Sequence, residues 1–289
     1  MIINLDFGVE IGKDMTKIAI KMLLQDQIIR AIAVIAKRLN IESTCSPQSI
    51  PLKLLTTPGK ITYQSAIAIK LSNQWQLNQI ELAAALVAEI SQRTPNPILP
   101  ELIVTATPKG WIDLQLSDRD LAAWLQQWLA IPQEISDITQ PSPIQINPFP
   151  IQYACARCCS LLRLGHQEGL MQLSDPDLKV LNWQVIAPSP IPWLSHHEPP
   201  NLILIHPQEQ RLIASLLQTL DEFNSLTPAG CLQIATAFDG FHRYCRIWGE
   251  IKAIAPQLSQ ARLGLVAVTQ TILKLLLQQR LNAFVPTEL

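Results

Sequence analysis

The sequence has no surplus of either charge. Its 22 Lys and Arg residues stand against 23 Asp and Glu, for a net charge of −1. Nucleic-acid binders usually show a basic patch, so any such role here has to rest on local clustering. Long apolar runs are also lacking. The longest candidates, such as IIRAIAVIAKRL, are broken by Arg30, Lys37 and Arg38, short of the roughly 18 residues that span a bilayer. The N-terminal MIINLDFGVEIGKD carries acids where a secretory signal has basic residues followed by an apolar core. The expectation is a soluble, cytoplasmic protein without a membrane span. Neither a P-loop nor a G-x-G-x-x-G phosphate cradle occurs, and no cofactor is expected.

Cysteine is too sparse for a disulfide scaffold. Cys45, Cys155, Cys158, Cys159, Cys231 and Cys245 are spread over 289 residues. Most sit in apolar helical surroundings, where a free cysteine behaves as a small buried hydrophobe. What is abundant is apolar residue: 48% of the chain is hydrophobic and 16% charged. That suffices for a sizeable core, and the length suits two domains.

Apolar positions at helical spacing over residues 16–39 predict one or two helices. Prolines 47, 51 and 58 mark loop, and YQSAIAIKLSN (63–73) reads as a short helix. Asn78, with Glu81 three residues on, predicts the N-cap of a helix through ELAAALVAEISQR. ELIVTAT and WIDLQLS, joined by Pro108-Lys109-Gly110, predict a hairpin, because Ile112, Leu114 and Leu116 alternate with polar residues. Ser117 and Asp120 form a capping box before DRDLAAWLQQWLA. Residues 1–130 thus read as a small α+β domain, 131–146 as a Pro-rich linker, and 147–289 as a helical domain. Helices are expected at 151–164, 207–224, 229–248 and 257–282. The fold class is α+β.

The stretch NPFPIQYACARCCSLLR (147–163) concentrates unusual residues on one helix. Asn147 and Pro148 suit its start and Gly165 its end. Ile151, Ala154, Cys155, Cys158, Leu161 and Leu162 fall on one core-facing stripe. A zinc site would use Cys155, Cys158, Cys159 and His166. Yet Cys158 and Cys159 point about 100° apart, and no second Cys or His pair follows at ligand spacing. No metal is expected. Tyr153 and Arg157 are i and i+4 and share a face. A ring beside a guanidinium suits stacking of an unpaired base and holding a phosphate, while the plain alternative is an arginine paired with a carboxylate.

INPFPIQYACARCCSLLR resembles the first helix of the DALR anticodon-binding domain of arginyl-tRNA synthetases, which typically reads N-P-x-F-Y-V-Q-Y-A-H-A-R-I-x-S-I-x-R. IATAFDGFHRYCRI (234–247) resembles that family's L-A-x-x-F-H-x-F-Y-x-x-C-R-V. The closing ARLGLVAVTQTILKLLLQQRLNAFVPTEL is similar to its last helix and its terminal L-G-x-x-x-P-E-x-M. ITYQSAIAIKLSN and KGWIDLQLSDRDL resemble G-D-Y-Q-S-N-x-A-M-x-L-A-K and G-F-I-N-x-x-L-S-x-x-x-L of the same enzymes' N-terminal additional domain. The matches are collinear over nearly the whole chain. In the family a class I catalytic domain with HIGH-like and KMSKS-like motifs lies between these ends. Here only about twenty linker residues hold that place, far below a domain's ordinary size.

The resemblance therefore implies the tRNA-touching ends of a synthetase without its catalytic part. Gln152, Tyr153 and Arg157 match the helix lining the anticodon-loop side. His242 stands where the family has a tyrosine, and Leu289 where it ends in methionine. With Arg243 and Arg246 these are the expected anticodon-side residues, and Tyr63 and Gln64 the expected D-loop side. Ala66 and Cys155 depart from the family's Asn and His. Lys252 and Arg262 extend the basic stretch, opposed only by Asp239 and Glu250. The expected partner is tRNA, with arginine tRNA the first candidate, together with a protein such as a tRNA-modifying enzyme or a larger complex. Two roles stay open: a non-catalytic tRNA adaptor or regulator, and a protein–protein scaffold that reuses the fold without RNA.

Overall fold

The computed structural model describes residues 19–42, 45–57, 59–92, 96–130, 144–176 and 183–288. Residues 1–18, with the start of the helix expected over 16–39, most of the Pro-rich stretch (131–143) and Leu289 lie outside them. Helix α1 (Ile20–Arg38) opens the described chain. Strands β1 (Lys53–Thr57) and β2 (Lys60–Ser65) follow, then α2 (Ile67–Trp75) and α3 (Gln79–Ser91). Strands β3 (Ile103–Ala106) and β4 (Ile112–Leu116) lead into α4 (Asp118–Ala130). The four strands form one antiparallel sheet in the order β1-β2-β4-β3.

The sheet's two faces follow from strand periodicity. Ile61, Tyr63 and Ser65 of β2 are buried beside Ile112, Leu114 and Leu116 of β4, while Thr62, Gln64, Asp113 and Gln115 occupy the other face. This corrects the helix expected from residue 63: residues 63–65 are strand, and the helical period starts only at Ile67. The caps form as expected. Asn78 Oδ1 accepts the Ile80 and Glu81 amides at 2.9 and 3.3 Å, and Ser117 and Asp120 close their capping box at 3.1 and 2.8 Å.

The second region is helical: α5 (Phe149–Gln167), α6 (Pro207–Asp221), α7 (Pro228–Tyr244), α8 (Glu250–Ile254) and α9 (Pro256–Leu275), the last extended by a π turn at Leu276–Arg280. A short strand pair, β5 (Gln172–Leu173) with β6 (Val185–Ala187), was not expected. Helix α9 is apolar nearly all round and runs between α5, α4 and α6. Residues Pro256–Arg280 are long and apolar enough to cross a membrane, contrary to the sequence reading. However, 94% of the apolar window is buried inside the fold, which makes it a core helix. Close approach to its neighbours needs glycine. A Cβ on Gly165 of α5 would lie 2.7 Å from Leu263 Cδ1, and one on Gly264 2.6 Å from the Trp193 ring. Gly165 is thus a packing glycine inside α5 rather than its end. The positive φ of 70° falls at Gly169.

One hydrophobic core runs through both regions, from Ile20 to Val285. Polar contacts stitch the seam. Gln126 Oε1 of α4 accepts the Ile191 amide and the Trp193 indole N–H, both at 3.0 Å. Asp118 Oδ2 accepts the Leu202 amide at 2.8 Å. Asp221, at the end of α6, accepts the Lys21 amide at 2.9 Å and the Tyr63 hydroxyl.

Burial raises the Asp221 carboxyl from 3.8 to about 6, against the opposing pull of the Tyr63 hydroxyl and Lys21. The folded chain therefore keeps a proton there that the unfolded chain releases near pH 3.8. This group's contribution is fully present below about pH 4 and is lost as pH rises through about 6. The loss amounts to up to about 3 kcal/mol. Asp221→Asn is expected to raise the melting temperature at pH 7.5 more than at pH 4.5, as read by thermal melts at both values. A variant less stable than the wild type at pH 7.5 would show that the ionised seam is stabilising.

Candidate nucleic-acid interface

Asn147 Oδ1 accepts the Phe149 amide at 3.0 Å and fixes the first turn of α5. The expected stripe, from Ile151 to Leu162, is buried in the core. That leaves Phe149 and Tyr153 pointing outward, at 60% and 47% exposure. Their ring centroids are 6.4 Å apart at an interplanar angle of 41°. Across from them α7 presents Leu232, Phe238, Asp239 and His242. The two helices enclose a groove of about 630 Å³ that Arg157 also lines.

Arg157 and His242 meet in this groove. The guanidinium lies 3.3 and 3.4 Å from His242 Nε2. A guanidinium only donates, so Nε2 accepts and the ring proton sits on Nδ1. Burial and the Arg157 charge both hold the imidazole below its ordinary value of 6.5, against the pull of Asp239. At neutral pH the pair is a cation beside a neutral ring. The groove therefore offers two exposed aromatic faces, one guanidinium and an imidazole, a set that can stack bases and touch a phosphate.

The other expected residues fall elsewhere. Gln152 Nε2 donates to the Phe284 carbonyl at 2.9 Å, and Arg163 to the Thr287 carbonyl at 2.8 Å. Gln152 thus ties the C-terminal tail to α5 and brings Phe284, 76% exposed, alongside its start. Arg243 is exposed and pairs with Asp239 at 3.1 Å, and Arg246 sits in the loop after α7; neither lines the groove. Leu289 lies outside the described residues. Tyr63 is corrected outright. It is 1% exposed with its hydroxyl on Asp221, so it has no free face for a base. Gln64 projects from the opposite face of the sheet and donates to Asp113 at 2.8 Å, so the two cannot act together.

The basic stretch is mostly neutralised. Lys252 pairs with Glu168 at 2.7 Å. Arg262 is buried, with Nε donating to Glu209 at 2.6 Å and Nη1 to the Arg246 carbonyl. Glu209 is itself fixed by His206, whose amide it accepts at 2.8 Å in a capping box at the start of α6. Cys155, Cys158 and Cys159 are all buried, and burial is the largest cause raising the Cys158 thiol. Among the described residues no group of three or more His, Cys, Asp or Glu side chains is placed to hold a metal ion. Sequence reasoning missed Phe149 and Phe284. The signal for Phe149 was its place one turn before Tyr153, and Phe284 had none.

Residues 151–279 match the sequence model of the DALR anticodon binding domain. This region is a DALR anticodon-binding domain. It contains α5, α7 and the groove between them, apart from Phe149 and Pro150 at the groove's mouth. The chain is also similar to an arginine–tRNA ligase of Gloeobacter violaceus, 27% identical over 163 residues. That similarity covers 51% of this chain and 24% of the relative, so the chain spans about a quarter of that protein's length. No solved structure matches.

Proposed function

We propose that the chain is a non-catalytic tRNA-binding protein that takes unpaired bases of an anticodon loop into the α5–α7 groove. The observation that carries this reading is the exposed pair Phe149 and Tyr153 beside Arg157, inside or bordering the DALR domain. Tyr153, Phe149 and Phe284 supply stacking faces. Arg157, oriented by neutral His242, supplies the phosphate or base-edge donor. Gln152 acts through the tail it holds. The relative's name makes arginine tRNA the first candidate.

The role is that of an adaptor or regulator, presenting tRNA to a protein that acts on it. Only residues 131–148 separate α4 from α5, and the chain carries no HIGH-like or KMSKS-like stretch in that place. The two regions share a core across the seam where a catalytic domain would intervene. Six free cysteines suit a reducing compartment such as the cytoplasm. One observation favours the scaffold reading instead: Arg243, Lys252 and Arg262 each already hold a carboxylate.

Salt separates the two. A labelled arginine tRNA transcript, titrated by anisotropy between 50 and 200 mM salt, is expected to bind with a shallow slope of about −2 in log K against log salt. That slope corresponds to two or three phosphate contacts. Arg157→Ala should flatten the slope by about one. No binding at 50 mM salt would favour the scaffold.

A further inference from the structure

The C-terminal tail leaves the π turn and runs along α5. Beyond Ala283 no backbone–backbone hydrogen bond holds it among the described residues. Side chains hold it instead. Val285 is buried, Gln152 Nε2 donates to the Phe284 carbonyl at 2.9 Å, and Arg163 Nη2 donates to the Thr287 carbonyl at 2.8 Å. Arg163 Nη1 also lies 3.9 Å from Glu288 Oε1. Gln152 and Arg163 stand three turns apart on α5, about 16 Å, so the tail is pinned on both sides of Val285. The Phe284 ring is 76% exposed, so its backbone rather than its packing sets its place. Arg163 itself does not line the α5–α7 groove, and only 19% of its side chain is exposed.

We propose that Arg163 is a positioning residue for RNA binding: it fixes the tail along α5, and the fixed tail holds the Phe284 ring at the start of that helix, where an unpaired base can stack on it. The inference rests on the RNA reading of the α5–α7 groove and adds a residue that touches neither the groove nor the base. Without the Arg163 guanidinium the Thr287 carbonyl turns to water, and the tail beyond Val285 loses its anchor. Phe284 is then tied down on one side only. A base that stacks on a loose ring must order the tail as it binds, which costs conformational entropy that a pinned tail has already lost. Arg163 thus acts by pre-organisation, whereas Arg157 acts by direct contact.

Arg163→Met keeps the apolar stem and removes every donor. In the full chain it should speed chymotrypsin cleavage after Phe284, read by mass spectrometry without RNA. It should also weaken binding of an arginine tRNA anticodon stem-loop about fivefold, against about tenfold for Phe284→Ala, which removes the stacking face outright. The two losses should not add: the double variant should bind as Phe284→Ala does. The dependence on salt should stay that of the wild type, because no phosphate contact is removed. A slope reduced by about one in log K against log salt would make Arg163 a phosphate contact and overturn the proposal. Unchanged affinity, unchanged cleavage, or losses that multiply in the double variant would each overturn it too, while wild-type binding leaves the RNA reading standing. A wild type that binds no stem-loop would overturn the RNA reading itself, and this inference with it.

Discussion

Arg262→Ala is expected to destabilise the protein by about 3–5 kcal/mol, a fall of roughly 10 °C in melting temperature. The loss comes less from the missing attraction than from what remains. Glu209 is fully buried on α6, and its carboxylate would be left charged without its guanidinium. The Arg246 carbonyl would lose its donor as well. Arg262→Met combined with Glu209→Gln should recover much of the stability. That pair leaves no lone charge, and the glutamine can still accept the His206 amide at the helix start. Thermal melts of the single and double variants check this. A single variant that melts within 2 °C of the wild type would show that Glu209 finds water or another donor.

Tyr153→Ala should leave stability nearly untouched, because the ring is 47% exposed on α5. RNA binding should suffer instead. Base–aromatic stacking is worth about 1–3 kcal/mol per base, so affinity should drop about 10- to 100-fold. Tyr153→Phe keeps the ring face and should bind almost as the wild type does. That contrast distinguishes stacking from a hydroxyl hydrogen bond. Equal losses in both variants would assign the role to the phenol oxygen, and no loss in either would remove Tyr153 from the interface.

Much of this was legible because it is local. The core stripe of α5, the Asn78 and Ser117 caps, the β3–β4 hairpin and the shared face of Tyr153 and Arg157 follow from spacings of a few residues. Residues 63–65 misled because Tyr63 and Ser65 run directly into a helix at Ile67, and one apolar stretch holds two periods. The helix of α9 was expected at 257–282, but its burial was not, because Arg262 read as part of a basic surface stretch; Arg262 and Lys274 are both buried, and burial lowers the Lys274 amine to about 8.

What the sequence could not reveal is pairing across distance. Lys252 meets Glu168 from 84 residues away, and Arg262 meets Glu209 from 53. A row of cations that looked free was therefore largely spoken for. Tyr63 was assigned to RNA through resemblance, but its hydroxyl belongs to Asp221, 158 residues on. The Phe284 ring reaches α5 only because the tail folds back onto Gln152. In each case the local pattern was intact and the fold decided its use.

The most direct test of the account is to purify the tagged protein from its own cells at low salt and sequence the RNA that remains bound. Tyr153→Ala with Arg157→Ala serves as the control. The account predicts enrichment of one tRNA family with the wild type and its loss with the double variant. Recovery of a stoichiometric protein complex without RNA, or of the same RNA with both proteins, would contradict it.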